Sequence, residues 1–522
     1  MKFTPYSLTF LILLIFALVL RLNRLDFPLS NTFVWGDGTR DYLVANHILK
    51  YGEFPLLGPY NLLLDYGIQT NSPLYFYLLA LFLIPFNNVL TLGLVNILWQ
   101  ILVIVLIYLI SKRLFNQITA LVSVVLFSIN PQVLNQSDYI WQPHLMQPIA
   151  YLGLFFLIKS FFSGSYPKLL LSIFLICLAI TIHYSAFPWL PLFLVASLWI
   201  LNRNHKSAKH YLGVVMVLVV PIILFHLPVF LYQVVPPDLD GIIYTNFGKQ
   251  YLFNLSSNFN ELLNAFGLKD FLPLLIVGSI ICFLFIRDQK HQKFTVITLI
   301  FLISPIILAS FFDKIRLHYL TLSFGILSIF VAKIITSVPN IRWFILVNIL
   351  LFLLFFKAFS ADFNFLSNTR KPLDNLRQME EMSTQLKAEL TQLREDQSYR
   401  DFGFFQIRSY AVLDNEAFDY PVLDTILLVN LEERLNQKLT KIVDSAYNHI
   451  QIGDDQYLLV SCFNFAKMKD EVRCLKAFTI QQSRHSIVKK LYDGDFVSVY
   501  LSQIIEDIYN FFNLSSFHNI LA

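Results

Sequence analysis

Eleven runs of apolar residues, each close to the length that crosses a bilayer, fill most of the first 360 positions of this 522-residue chain. They lie near 6–22, 92–111, 118–134, 145–162, 168–184, 186–202, 211–231, 271–287, 294–312, 319–337 and 342–360. A helix of about 20 apolar residues matches the hydrocarbon core, where only helices and closed barrels satisfy their own backbone polar groups. The chain is therefore predicted to be a polytopic α-helical membrane protein with about 11 transmembrane helices. Composition agrees: 56% of residues are hydrophobic and 14% charged, whereas soluble domains carry about a quarter charged residues. The first run, Leu8 to Leu20, follows Met1-Lys2 and lacks a small-residue cleavage site, so it reads as a retained helix.

The run from Pro73 to Pro85 is apolar but short and closed by proline. It is expected to be a juxtamembrane helix in the first outer loop. If it does not cross and the amino terminus is cytoplasmic, Lys112/Arg113, Lys168, Arg203/Lys206/Lys209, Arg287/Lys290/Lys293 and Arg342 all fall on the cytoplasmic side. Of the 12 acidic residues in 1–359, all but Asp288 then face the opposite side. The same parity places everything after Phe359 outside. The expected location is thus a plasma membrane, crossed many times, with the active face and the C-terminal part extracytoplasmic.

Charge divides the chain at the same place. Residues 1–359 hold 22 Lys and Arg against 12 Asp and Glu, whereas residues 360–522 hold 17 against 23. The formal net charge of +4 is therefore topological and gives no reason to expect nucleic acid. Two domains are expected: a transmembrane domain, 1–360, and an extracytoplasmic soluble domain, 361–522, of α/β or α+β class. In the latter, 372–396 has helical apolar spacing, and Ile426–Leu431, Tyr457–Phe463, Leu475–Ile480 and Phe496–Leu501 have the character of strands. Cys177 and Cys282 lie in apolar runs and read as small core residues. Whether Cys462 and Cys474 close a disulfide loop stays open at this level.

Ionisable groups at membrane depth are costly and mark function. The outer-facing set comprises Asp37, Arg40, Asp41 and His47 in the first loop, Asp138 and His144 in the second, His183 in the third, and Arg316, His318 and Tyr319 before the tenth span. Asp37-Gly-Thr-Arg40-Asp41, flanked by Trp35 and Tyr42, puts two carboxylates and a guanidinium at a membrane surface. Such a group suits acid/base work on a polar substrate. Simpler roles compete: Asp37 and Arg40 as an ion pair or helix cap, Asp138 as a turn cap, and His183 as a hydrogen-bonded interface residue. Asp37, Asp138, His144 and His183 lack the ligand spacing of a zinc motif, which leaves a divalent metal open.

In order, Trp35-Gly-Asp37-Gly-Thr-Arg40-Asp41-Tyr42, Lys50-Tyr-Gly52-Glu-Phe-Pro55, Ser72-Pro73-Leu-Tyr75-Phe-Tyr77, Asn130-Pro131 through Trp141-Gln-Pro143-His144, and Arg316-Leu-His318-Tyr319-Leu320 form a series. This series resembles the membrane glycosyltransferases of the GT-C superfamily, in particular relatives of the protein O-mannosyltransferases and of the aminoarabinose transferases acting on lipid A. The resemblance spans roughly residues 1–340. It implies transfer of a sugar from a polyprenyl-phosphate donor to a lipid, glycan or protein acceptor outside the cytoplasm, with inversion, and it favours a prokaryotic plasma membrane. It also implies roles: Asp37 as general base, Arg316 or Arg40 on the leaving phosphate with His318 and Tyr319, and Trp35, Tyr75, Trp141, His144 and His183 on substrate. Two departures stand out. Many relatives carry Asp-Glu where this chain has Asp37-Gly38, so the role of a second acid moves to Asp41 or Asp138 or is absent, and Trp-Asn-Pro-Asn reads Trp141-Gln142-Pro143-His144.

A transporter or flippase of lipid-linked sugar is the alternative, and a scaffold whose tail binds glycans is a third reading. Transporters commonly show repeated halves and helices broken at the midplane. Here the two halves show no evident correspondence, and the polar residues crowd one surface.

Overall fold

The computed structural model describes residues 5–22, 37–55, 58, 72–87, 89–137, 140–232, 254–260, 262, 289–309, 320–337, 384–389 and 392, together with the strands named below. Its principal helices are α1 (Pro5–Leu22), α2 (Asp37–Tyr51), α3 (Leu74–Leu83), α4 (Val89–Leu114), α5 (Gln117–Ser128), α6 (Pro131–Asn135), α7 (Gln142–Ser163), α8 (Tyr166–Ile182), α9 (Leu190–Arg203), α10 (Ala208–Tyr232), α11 (Gln289–Ala309) and α12 (Thr321–Thr336). A 3₁₀ helix, Tyr184–Trp189, joins α8 to α9. The chain separates into two compact units, one combining Met1–Pro28 with Leu56–Arg370 and the other Leu29–Pro55 with Lys371–Ala522.

The first unit is helical. Among the described residues, Pro5–Leu22, Thr91–Leu114, Gln142–Ser163, Tyr184–Arg203 and Ala208–Leu227 are long and apolar enough to cross a membrane. α3 is short, as the proline-bounded run led us to expect. The expected runs at 271–287 and 342–360 lie outside the described residues. One boundary differs from the sequence reading, which carries a single span from 118 to 134. The helix stops at Ser128, and Asn130 caps the new helix α6 by accepting a hydrogen bond from the Val133 N–H at 3.1 Å. Pro131 at the first helical position lacks the N–H that would have continued α5.

Local chemistry also sets the turns at the other end of the bundle. Asn116 caps α5, its Oδ1 accepting from the Thr119 N–H at 2.8 Å, directly after α4 has ended in Lys112 and Arg113. Gly164 ends α7 with φ of 64°, a left-handed conformation that favours glycine, and Pro167 lies in the first turn of α8. These tight connections make the paired helices antiparallel.

α12 sits at the centre. Fourteen of its sixteen residues are buried, so it is enclosed on every side, packing against α5, α7 and α11. α1 and α10 instead turn Leu8, Ile12, Ile15 and Phe16, and Leu212, Met216, Ile223 and Leu224, outward. Exposed rows of this kind are what a helix presents to lipid.

The second unit contains α2 and a five-stranded mixed sheet in the order β2-β1-β5-β7-β6. The strands are β1 (Gln406–Leu413), β2 (Glu416–Asp419), β5 (Tyr457–Asn464), β6 (His485–Asp493) and β7 (Val497–Ile504), while β3 (Thr440–Ile442) and β4 (Ile450–Ile452) pair separately. Only the β1–β5 pairing within the sheet is parallel. β5 and β7 coincide with expected strands. Ile426–Leu431, Leu475–Ile480 and Cys474 lie outside the described residues, and of 372–396 only 384–389 and 392 are described, as helix. Edge strand β6 carries register shifts at Ile487/Lys489 and Lys490/Tyr492. Irregularity and lysines on an edge discourage pairing with another chain.

Close packing at the centre gives a direct test. A methyl group at Gly325 on α12 would overlap the Tyr151 hydroxyl, which donates to the Leu322 carbonyl at 2.6 Å, and would lie 2.8 Å from Ile107 Cδ1. Overpacking of this kind costs roughly 1–3 kcal/mol. Gly325→Ala is expected to lower the unfolding midpoint of the detergent-solubilised protein. Adding Tyr151→Phe should recover part of the loss, because the overlapping oxygen is gone; additive losses in a melting experiment would contradict this packing.

Candidate functional site

The helices of the first unit carry different chemistry at their two ends. At one end stand Lys112 and Arg113 of α4, Lys168 of α8, Arg203 of α9 and Lys333 of α12. Contacts bring these ends together: Arg113 lies over Phe162 of α7, Phe161 stacks on Trp199 of α9, and Thr119 Oγ1 meets Thr336 Oγ1 at 2.8 Å.

The opposite end is rich in uncharged polar side chains among the described residues. Asn96 Nδ2 donates to the Gln136 carbonyl at 2.9 Å, and Trp99 Nε1 donates to the Leu145 carbonyl at 2.8 Å. Gln100 Nε2 donates to Gln147 Oε1 at 3.4 Å, and Gln147 Nε2 donates in turn to the Thr321 carbonyl at 2.9 Å. Helices α4, α7 and α12 are thereby tied through buried amides. Each such bond contributes about 1 kcal/mol net, while an unpaired buried group costs about 1–3 kcal/mol. The unpaired atoms Gln100 Oε1, Gln136 Oε1, Ser137 Oγ and Thr321 Oγ1 gather in the same layer.

Trp141 and His144 enter this layer at the start of α7. Trp141 is the extended residue preceding the helix, its ring meeting the His144 ring edge-on at 6.2 Å. His144 is fully buried. His183, also buried, sits in extended conformation where α8 ends, and its Nδ1 lies 3.2 Å from the Ser185 N–H and 2.8 Å from Ser185 Oγ. The backbone N–H only donates, so Nδ1 accepts and the neutral ring carries its proton on Nε2. His183 thereby caps the 3₁₀ helix, stacks on Tyr184 at 4.5 Å, and lies close enough to His144 for the two rings to interact electrostatically. Tyr75, on α3, is buried against Phe76.

In the second unit, α2 begins at Asp37. Asp37 and Asp41 are four residues apart, about one helical turn. Asp37 and Arg40 are described in backbone only, whereas the Asp41 side chain is fully buried. Gly52, with φ of 68°, ends the helix and turns the chain back, so that Glu53 Oε2 meets His47 Nδ1 at 2.8 Å. Trp35, Asp138, Arg316, His318 and Tyr319 lie outside the described residues. Among the described residues, no three His, Cys, Asp or Glu side chains come together as a metal site.

The structure thus brings Trp141, His144 and His183 to one end of the first unit. It adds residues that sequence reasoning passed over: the amides of Asn96, Gln100, Gln136 and Gln147, the His47–Glu53 pair, and Arg21, a fully buried guanidinium near the end of α1 whose Nη1 donates to the Ala17 carbonyl at 3.1 Å. The available signal was amide and guanidinium groups set inside apolar runs.

Similarity to known proteins follows the same region. The family described as dolichyl-phosphate-mannose-protein mannosyltransferase matches residues 70–226, the stretch carrying Tyr75, Trp141, His144 and His183. No curated protein matches the chain. The fold is similar to that of ArnT from Cupriavidus metallidurans: TM-score 0.57 to the crystal structure bound to undecaprenyl phosphate and 0.58 to the apo state, each at 10% identity and covering 94% of this chain and 97% of that one. The oligosaccharyltransferase of Archaeoglobus fulgidus in its apo form aligns at TM-score 0.45 and 14% identity, over 81% of this chain and 64% of that one. The GT-C resemblance read from the sequence is matched by the family comparison and by the fold.

The capping role of His183 is separable from contact with a substrate. His183→Ala should lower stability by about 0.5–2 kcal/mol, and His183→Asn, which restores an acceptor for Ser185, should stay near the parent in a thermal melt. Equal losses in both variants would refute the cap.

Proposed function

We propose that this protein transfers a sugar from a polyprenyl-phosphate donor to an extracytoplasmic acceptor, which is a lipid, a glycan or a protein. The observation that carries the reading is the buried polar layer at one end of the bundle, holding Trp141, His144 and His183 within the stretch that the mannosyltransferase family matches. The likeness in fold to ArnT, crystallised with undecaprenyl phosphate, supports a lipid phosphate as the handle of the donor. Crowding of polar groups toward one end of the bundle favours transfer over transport.

In the proposed reaction the acceptor hydroxyl attacks the anomeric carbon of the donor. Its proton passes to the Asp37 carboxylate as the new carbon–oxygen bond forms, and the bond from the anomeric carbon to the phosphate oxygen breaks on the opposite face, inverting the centre. The departing polyprenyl phosphate gathers negative charge. Arg316 meets that charge with charge-assisted bonds, aided by His318 and Tyr319, and Arg40 is the second choice for this role. Asp41 or Asp138 supplies the second acid, and Trp35, Tyr75, Trp141, His144 and His183 form walls for the sugar and acceptor. The neutral state of His183 suits a wall: its Nε2–H offers a donor without a fixed charge against the acceptor hydroxyl. A divalent ion stays open as an addition to this set.

Membranes containing Asp37→Asn protein, assayed with labelled polyprenyl-phosphate sugars, should lose transfer by about 10²–10⁴-fold. Arg316→Gln should lose about 10²–10³-fold. Transfer at the parent rate in Asp37→Asn would remove the proposed base. Orientation has its own test. In a background free of other cysteines, a cysteine at Gln292 should resist an impermeant thiol reagent in intact cells, while one placed within 360–370 should react; equal labelling would overturn the sidedness.

A further inference from the structure

We propose that the basic end of the first unit holds a site for an anionic phospholipid, with an acyl chain between α9 and α11 and its phosphate on Arg203. A cavity of about 1330 Å³ lies there, larger than the roughly 300–1,000 Å³ of common small-molecule sites. Its walls are apolar and aromatic, including Leu154, Phe161, Trp199, Phe294 and Phe301, and Arg203 is the one charged side chain among the described residues lining it.

The cavity opens sideways. Val195 and Trp199 of α9 and Val296, Ile297 and Ile300 of α11 line it and are themselves exposed, so the gap between these helices faces the region that lipid fills. Protein interiors pack as densely as organic crystals, and an apolar void of this size facing a bilayer is filled by chains from that bilayer.

The rim identifies the kind of lipid. The Arg203 guanidinium lies 5.1 Å over the Trp199 ring, Trp199 stacks on Phe161 at 4.8 Å, Phe161 meets Phe294 at 6.1 Å, and Phe294 meets Phe162 at 5.4 Å. Arg113 closes the row, 4.6 Å over Phe162. Two guanidiniums therefore bracket one aromatic cluster. Guanidinium is weakly hydrated and matches phosphate oxygens in bidentate fashion, and tryptophan, here Trp199, favours the headgroup level. Basic pockets between transmembrane helices favour anionic lipid headgroups.

A carrier lipid whose phosphate serves the polar end is a different molecule. His144 and Phe161 are 17 residues apart on α7, about 26 Å along a helix, so one phosphate does not reach both ends. The phospholipid site accordingly stands independently of sugar transfer.

The test uses the purified full chain in detergent, with phosphatidylglycerol and phosphatidylcholine of identical acyl chains as probes. Thermal unfolding and native mass spectrometry are the readouts. Phosphatidylglycerol should raise the midpoint more than phosphatidylcholine does. Arg203→Gln should weaken the phosphatidylglycerol affinity about fivefold, and Arg203→Lys should restore part of it. Ala196→Trp, which fills the mouth, should weaken both lipids. Equal responses to the two lipids, or an undiminished preference in Arg203→Gln, would overturn the site. So would an Arg203-dependent response to undecaprenyl phosphate alone, which would hand the cavity to the carrier. If Arg203→Gln does not fold, Ala196→Trp decides: parent-like affinity for phosphatidylglycerol sinks the proposal.

Discussion

A polar group inside hydrocarbon has no water to turn to, and this one constraint arranges the whole first unit. Backbone groups are satisfied within helices. Side chains with polar atoms either find each other or move to the ends. α12, enclosed on all sides, shows this: Ser328 in its middle donates to the Phe324 carbonyl of its own helix, the Thr321 carbonyl at one end accepts from the amide relay, and Lys333 at the other lies over the Phe115 ring at 5.4 Å.

The two ends are consequently different solvents. The basic end keeps its cations over aromatic rings, where the stems and faces of arginine and lysine stay compatible with lipid. Among the described residues, the polar end carries amides, hydroxyls and imidazoles, some hydrogen-bonded to one another and some with unpaired atoms. A layer of this kind holds helices in register while leaving donors and acceptors at the membrane edge. The glycosyl-transfer reading places its chemistry there, and the phospholipid reading concerns the other end.

Much of the helical architecture was legible along the chain because hydropathy is a local property. α4, α7, α8, α9 and α10 fall where the apolar runs lie. The break at Asn130-Pro131 was written in the same residues, yet the surrounding run of apolar side chains concealed it. Strands β1 and β6 went unread for a related reason. Gln406–Leu413 includes Arg408 and Ser409, and His485–Asp493 includes Lys489 and Lys490, so neither presents the short apolar block by which β5 was found. In the site, Trp141, His144 and His183 stood out as polar or aromatic groups at span ends. Gln100 and Gln147 did not, since an amide announces no chemistry until its partner is known.

By itself, the order of residues determined that this chain has apolar runs enough to cross a membrane many times, that Lys112, Arg113, Lys168 and Arg203 stand at the ends of such runs, and that a tail of opposite net charge follows. These are consequences of transfer free energy, which each segment feels separately. Tertiary structure decided which polar atoms meet: Gln100 with Gln147, Gln147 with the Thr321 carbonyl, and the aromatic row between Arg113 and Arg203. Such pairings join positions up to 174 residues apart. They depend on how helices pack against one another, a property that no single stretch of sequence carries.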